Sequence, residues 1–146
     1  VRALIQRVEY CKVHVAGETV AAINTGLLVF LGVDKLDSEL SADKLLAKIL
    51  QYRVFPGLNG KMNLCLREIN GELLIVSQFT LSADTRKGLR PSFSSAAEPV
   101  KARLLYDYFV TRAARELPEV ATGVFGADMK VELVNDGPVT FLLEVN

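Results

Sequence analysis

Short apolar runs separated by glycine, proline and polar breaks fill most of the chain. Residues 2–8 and 12–16 alternate or run apolar, and Ala16-Gly17-Glu18 sits as a hairpin turn between 12–16 and 19–23. Gly26 and Gly32 bracket Leu27-Leu28-Val29-Phe30-Leu31, a run too short for a helix and suited to a strand buried on both faces. The first third therefore predicts a β-meander. Ser41 stands as a helix cap, followed by Ala42, Leu45, Leu46, Ile49 and Leu50 at helical spacing, with an end near Tyr52. Asn59-Gly60 and Asn70-Gly71 are turn signals; residues 61–64 between them are a loop or a short strand. Glu72 to Val76 predicts a buried strand. Residues 82–97 have no period and form a long loop, a feature that is usually functional inside a compact domain. Pro99 opens a second helix with Ala102, Leu105, Tyr106, Phe109 and Ala113 on its apolar face, limited by Pro118. Val124-Phe125, residues 129–134 and residues 139–145 complete the pattern as strands.

This order predicts one α+β domain over residues 1–146: a curved, largely antiparallel sheet or open β-barrel with two main helices packed on it. Repeats, linkers and low-complexity tracts are lacking.

Two polar stretches interrupt the apolar pattern. Ser77-Gln78-Phe79-Thr80 follows Leu73-Leu74-Ile75-Val76, and Asn135-Asp136-Gly137-Pro138-Val139-Thr140 lies between two apolar runs. Polar groups at the ends of buried strands need hydrogen-bond partners or a ligand. A Gly-Pro step inside a strand pattern forces a break or bulge. Small residues there permit close approach of a ligand to the backbone.

Composition narrows the chemistry. Seventeen basic and seventeen acidic side chains balance to zero, which argues against a generic polyanion binder and against DNA as a partner. The balance is uneven: residues 34–43 carry a net −3 and residues 84–103 a net +3. The second segment is a solvated face or a small phosphate-facing patch. Cys11 and Cys65 lack metal or redox spacing and read as free thiols of a reducing compartment, so a cytoplasmic location is expected. Neither a membrane helix nor a signal peptide is visible in the pattern. One histidine and two separated cysteines argue against a metal site, and the glycine-rich nucleotide fingerprints are missing, so no cofactor is expected. His14, the sole histidine, falls on the polar side of an alternating strand beside Val13 and Val15. A Ser-His-Asp mechanism would have to use it.

Ser77-Gln78-Phe79-Thr80-Leu81 with Ala83-Asp84-Thr85, and Asn135-Asp136-Gly137-Pro138-Val139-Thr140, closely resemble the two signature motifs of the D-aminoacyl-tRNA deacylase family. Ala3-Leu4-Ile5-Gln6-Arg7-Val8, Gly26-Leu27-Leu28-Val29, Tyr52-Arg53-Val54-Phe55, Gly60-Lys61-Met62-Asn63, Arg90-Pro91-Ser92-Phe93 and Ala127-Asp128-Met129 extend the likeness over the whole chain. Glu9-Tyr10-Cys11-Lys12-Val13-His14 is bulkier than the family's small-residue strand.

The resemblance implies a metal-free, homodimeric hydrolase with its active site at the subunit interface. It would cleave the ester of D-aminoacyl-tRNA, and of glycine mischarged on tRNA(Ala). It implies a catalytic loop of Ser77, Gln78, Phe79 and Thr80. It further implies a cis Gly137-Pro138 that, with Val139 and Thr140, reaches into the other subunit's pocket and leaves no room for an L side chain. By the same resemblance Arg7 supports that loop and Met129 lies near the pocket. The implied mechanism uses the tRNA 2′-hydroxyl to help activate water, with Thr80 as support. Arg86, Lys87 and Arg90 are then candidates for tRNA phosphate contacts. Two other readings stay open on the residues alone. One is a non-catalytic RNA-binding module; the other is a conventional Ser/Thr esterase.

Overall fold

The computed structural model describes residues 1–146. Its long first strand, β1 (Arg2–Val15), organises the sheet. β8 (Lys130–Glu144) runs antiparallel along nearly all of one edge of β1. β2 (Glu18–Ile23) pairs with residues 11–15 of β1 and β3 (Gly26–Gly32) with residues 2–8, both antiparallel. Since β8 occupies one edge, β2 and β3 must lie end to end on the other. This corrects the expected β-meander, in which β3 would pair with β2. β6 (Glu72–Ser77) continues the sheet parallel to β3, and β7 (Val120–Thr122) parallel to β6. The result is a mixed, nearly closed, barrel-like sheet with two helices. A small antiparallel pair, β4 (Phe55–Pro56) and β5 (Met62–Leu64), projects beside it.

Strand parity divides the core. Leu27, Val29 and Leu31 of β3 and Leu73 and Ile75 of β6 face one layer, where they meet both helices. Leu28, Leu74 and Val76 point the other way, into a second cluster with Val8, Cys11, Val13 and Ile23. On β1 the layers are kept by a bulge. Ala3 and Ile5 serve the first layer, and Val8, Cys11 and Val13 the second, although 8 and 11 differ in parity. The register shift between Val8 and Tyr10 absorbs the extra residue Glu9, as one inserted residue flips every side chain after it.

α1 (Glu39–Gln51) buries Ala42, Leu45, Leu46, Ile49 and Leu50. Its cap is Ser38, not Ser41. The Ser38 hydroxyl accepts from the Ser41 amide at 3.4 Å and the Ser41 hydroxyl accepts from the Ser38 amide at 2.8 Å, a reciprocal capping box. α2 (Pro99–Glu116) starts on Pro99, whose missing N–H costs nothing at that position. It buries Leu105, Tyr106, Phe109 and Ala113. Tyr106 donates its hydroxyl to Ile75 O at 2.8 Å, tying α2 to β6 two residues before Ser77. The strand expected at Val124-Phe125 lies earlier, at β7, because the parallel ladder to Leu73–Ile75 fixes it there. No helix is long and apolar enough to cross a membrane.

Candidate active site

β6 delivers Ser77 to the sheet rim, opposite Leu31 of β3. The Gln78 amide donates to Leu31 O at 2.8 Å, and the chain then turns through a 3-10 segment, Phe79–Ser82. Gly32 makes this turn possible: a Cβ there would lie 2.9 Å from Leu81 Cβ and 3.2 Å from Gln78 O. Ser82 is fully buried; its hydroxyl donates to Val33 O at 3.3 Å and its carbonyl accepts from Ser95 Oγ at 2.9 Å. Phe79 is 58% exposed and Thr80 is exposed, with Thr80 Oγ1 accepting from Gln78 Nε2.

Ser77, Gln78 and Phe79 form part of the wall of an open cavity of about 590 Å³. Phe30, Val76 and Val131 close it from the sheet, Met129 from the residue before β8, Ala102 from α2 and Phe125 from the loop after β7. Ala102, expected on the core face of the second helix, therefore faces this cavity. Phe30, Phe93 and Phe125 are lining residues that the pattern did not single out. Phe30 was hidden in a continuous apolar run. Only the parity of Leu27, Val29 and Leu31 toward the helices shows that Phe30 faces away from them.

The second polar stretch is a loop within β8. Thr140 pairs with Gln6 and Asn135 with Val8, so residues 136–139 bulge out opposite the single residue Arg7. Arg7 holds them: Nε donates to Asp136 O at 2.8 Å, and Nη1 donates to Val54 O at 2.6 Å. Asn135 braces the loop from within, accepting from Val139 N at 2.7 Å and donating to Val139 O and Thr140 Oγ1. Its position directly before Asp-Gly-Pro was the available signal for this role. The Gly137-Pro138 peptide is cis. Gly137 has φ +142°, and a Cβ there would lie 2.6 Å from Val139 Cγ2 and 3.2 Å from Arg7 Nη2. Gly137 and Pro138 are exposed.

Within one chain the two stretches do not share a cavity. Arg7 pairs with Leu27, whereas Ser77 pairs with Leu31. Four residues of strand put them about 13 Å apart along the sheet, on strands two removed. Met129 lines the cavity; Arg7, Gly137, Pro138, Val139 and Thr140 do not.

No group of three His, Cys, Asp or Glu side chains is placed to hold a metal ion. His14 bonds Glu132 and Thr19, both at 3.0 Å, and does not line the cavity. Burial, aided by the Glu132 carboxylate, pushes the Cys11 thiol up to about 11, so it stays protonated and unreactive at neutral pH. Arg86 grips Asp84 with both fork nitrogens, at 2.9 and 2.8 Å. That fork and the Arg86 amide hold the Asp84 carboxyl far below the usual carboxylate range. Lys87 and Arg90 are exposed beyond it.

The sequence profile of the family described as D-Tyr-tRNA(Tyr) deacylase matches residues 4–144. The chain belongs to this family. A D-aminoacyl-tRNA deacylase of Stutzerimonas stutzeri is 62% identical, covering 98% of this chain and 99% of its own. One from Haemophilus influenzae is 60% identical over the same shares, and one from Pseudomonas putida is 57% identical over 99% of each. Among solved structures, one titled c-Myc DNA Unwinding Element Binding Protein superimposes with a TM-score of 0.94 at 36% identity, covering 99% of this chain and 98% of its own. A probable eukaryotic D-amino acid tRNA deacylase shares the fold, with a TM-score of 0.84 at 18% identity over 97% of each chain.

Proposed function

We propose that the cavity at the end of β6 receives the aminoacyl terminus of D-aminoacyl-tRNA and that the chain hydrolyses its ester. The observation that carries this is the placement of Ser77-Gln78-Phe79 at the rim of a largely apolar cavity, in a chain matched from residue 4 to residue 144 by the deacylase family. Water adds to the ester carbonyl carbon, the bond to the ribose oxygen breaks, and that oxygen leaves with a proton. The products are the free D-amino acid and tRNA. An aminoacyl ester is already a reactive acyl donor, so positioning and oxyanion stabilisation are the main demands. The Phe79 and Thr80 amides open a 3-10 turn and have no partner inside it, so they are suited to a developing oxyanion. The ribose 2′-hydroxyl helps to activate water, a role supported by the lack of an ionisable base among Ser77, Gln78, Phe79 and Thr80.

The second half of the site comes from a second copy of the chain. Gly137-Pro138 is exposed, held out by Arg7, and about 13 Å along the sheet from the cavity of its own subunit. In a homodimer, Gly137, Pro138, Val139 and Thr140 of one copy would close the cavity of the other. With the amino group and ester fixed, an L side chain would point into this backbone and a D side chain into open space. Discrimination by exclusion reads chirality without reading side-chain identity. Glycine, having no side chain, would pass the same gate, so glycyl-tRNA(Ala) is a second substrate. Lys87 and Arg90 approach tRNA phosphates, with Arg86 as the brace. The zero net charge supports a few such contacts to one RNA end rather than a broad DNA-binding face.

Release of labelled D-tyrosine from D-tyrosyl-tRNA tests the reading, with L-tyrosyl-tRNA as control. The D ester is cleaved and the L ester is spared. Inactivity toward both, with the dimer intact in sedimentation, would mean that the cavity binds RNA without hydrolysing it.

A further inference from the structure

The reading uses the backbone of Phe79 but not the aromatic pair that its ring makes with Phe93 at the cavity mouth. Phe79 and Phe93 lie with ring centroids 5.1 Å apart and planes tilted by 50°, and they are 58% and 40% exposed. Two exposed aromatic rings on an otherwise open rim leave apolar area in water. This pair is not on a wandering loop. Asp84 and Ser92 form a two-way backbone bridge, with N–H to O distances of 2.7 and 3.0 Å, immediately before Phe93. Immediately after it, Ser95 Oγ donates to Ser82 O, Ala96 bridges Asp34, and the Ala97 amide donates to Val33 O at 3.0 Å. Phe93 is thus held at both sides by backbone anchors while its ring stays outside the core.

The Asp84–Ser92 bridge also makes residues 85–91 a projecting finger, exposed throughout. Arg86 is committed to Asp84, which leaves Lys87 and Arg90 as the outward cations. Part-exposed aromatic rings at the base of a finger that carries exposed cations are the elements that hold single-stranded nucleic acid. Stacking on an aromatic ring is tolerant of base identity, and cations track the phosphates.

We infer that the Phe79–Phe93 shelf is a base-stacking subsite for an unpaired nucleotide upstream of the one that carries the ester. Phe93 offers its ring face to the base, and Lys87 and Arg90 meet the adjoining phosphates. This rests on the hydrolase reading and deepens it: the enzyme holds the acceptor end by two successive places, the cavity for the terminal aminoacyl-nucleoside and the shelf for the unpaired cytidines that precede it in every tRNA. Such a grip serves all tRNAs alike, as the shelf reads ring faces rather than base edges.

Inhibition of D-tyrosyl-tRNA hydrolysis by AMP and by the trinucleotide CCA tests this. In the wild type, CCA inhibits more tightly than AMP. Phe93→Ala removes about tenfold from CCA inhibition and much less from AMP inhibition, and Phe93→Tyr restores the CCA margin. Phe93→Leu keeps an apolar side chain against Phe79 and should not restore it. If Phe93→Ala weakens AMP and CCA equally, or Phe93→Leu rescues fully, Phe93 is a wall of the terminal pocket and the shelf is refuted. If CCA inhibition is unchanged while the sedimentation coefficient falls, the pair is a subunit contact, and the shelf is equally refuted. A wild type that does not hydrolyse D-tyrosyl-tRNA but still binds CCA more tightly than AMP would overturn the hydrolase reading while sparing the subsite.

Discussion

At Thr80 the hydroxyl oxygen accepts a hydrogen bond from the Gln78 side-chain amide, a group that cannot take up a proton. A threonine so partnered is a poor nucleophile, and His14 is bonded to Glu132 and Thr19 instead. Thr80→Val should therefore retain at least about a tenth of the deacylation rate, since the loss of one supporting hydrogen bond is worth about 1 kcal/mol. A substrate with a terminal 2′-deoxyribose should not be turned over. Single-turnover rates with the two substrates check this, and full loss in Thr80→Val alongside turnover of the deoxy ester would reverse the roles. At this scale the sequence was readable where polarity stood out against an apolar run, as at Ser77 and Gln78. It was silent where apolar residues serve the site, as at Phe30 and Phe125, because an apolar ring in a strand looks the same whether it faces helix or cavity.

Among the elements, the finger at residues 85–91 depends on one ion pair and one backbone bridge. The Asp84 carboxyl is depressed by its Arg86 partner, so the brace is fully present above the ordinary carboxylate value of about 4 and is lost only as pH falls through the lower, folded-state value. The Arg86 amide, which donates to Asp84 Oδ1 at 3.0 Å, should keep its slowed hydrogen exchange at pH 4. Asp84→Asn should weaken that protection at every pH. Exchange measured by NMR across pH 3–7 decides it; protection already fading near pH 5 in the wild type would show that Arg86 does not hold the Asp84 carboxyl down. Element positions were legible where chemistry is local. Gly26 and Gly32 marked β3, and Pro99 marked the start of α2. The α1 cap falls on Ser38 rather than the expected Ser41 because the two cap each other, and a sequence shows both hydroxyls without their direction. β7 lies earlier than the local pattern suggests because its position comes from a parallel ladder to β6, a partner about 50 residues away whose choice no local pattern encodes. The Gly-Pro break in β8 was seen, but not that the ladder resumes on both sides of it, since that depends on Arg7 across the strand pair.

For the molecule as a whole, the close approach of β3 and β6 carries both layers of the core. A Cβ at Gly26 would fall 1.9 Å from the backbone oxygen of Glu72. Gly26→Ala must prise open the start of the parallel pair, at a cost of about 3 kcal/mol. Urea denaturation should show a lower midpoint with an unchanged slope; a wild-type midpoint would mean that the strands can part there freely. The α+β class and the barrel-like sheet followed from the order of apolar runs, whereas the parallel pairs β3–β6 and β6–β7 did not, because pairing direction is set by distant connections. The ladder between β1 and β8 has a consequence for synthesis. Arg7 and the Asp136 carbonyl it grips are separated by 129 residues. A ribosome therefore releases β1 with one edge bare and completes its neighbour only after the rest of the sheet has emerged. A chain stalled before residue 137 holds the strands of the cavity but lacks the loop that would screen its cargo. On the proposed reading, fidelity is the last property such a nascent chain acquires.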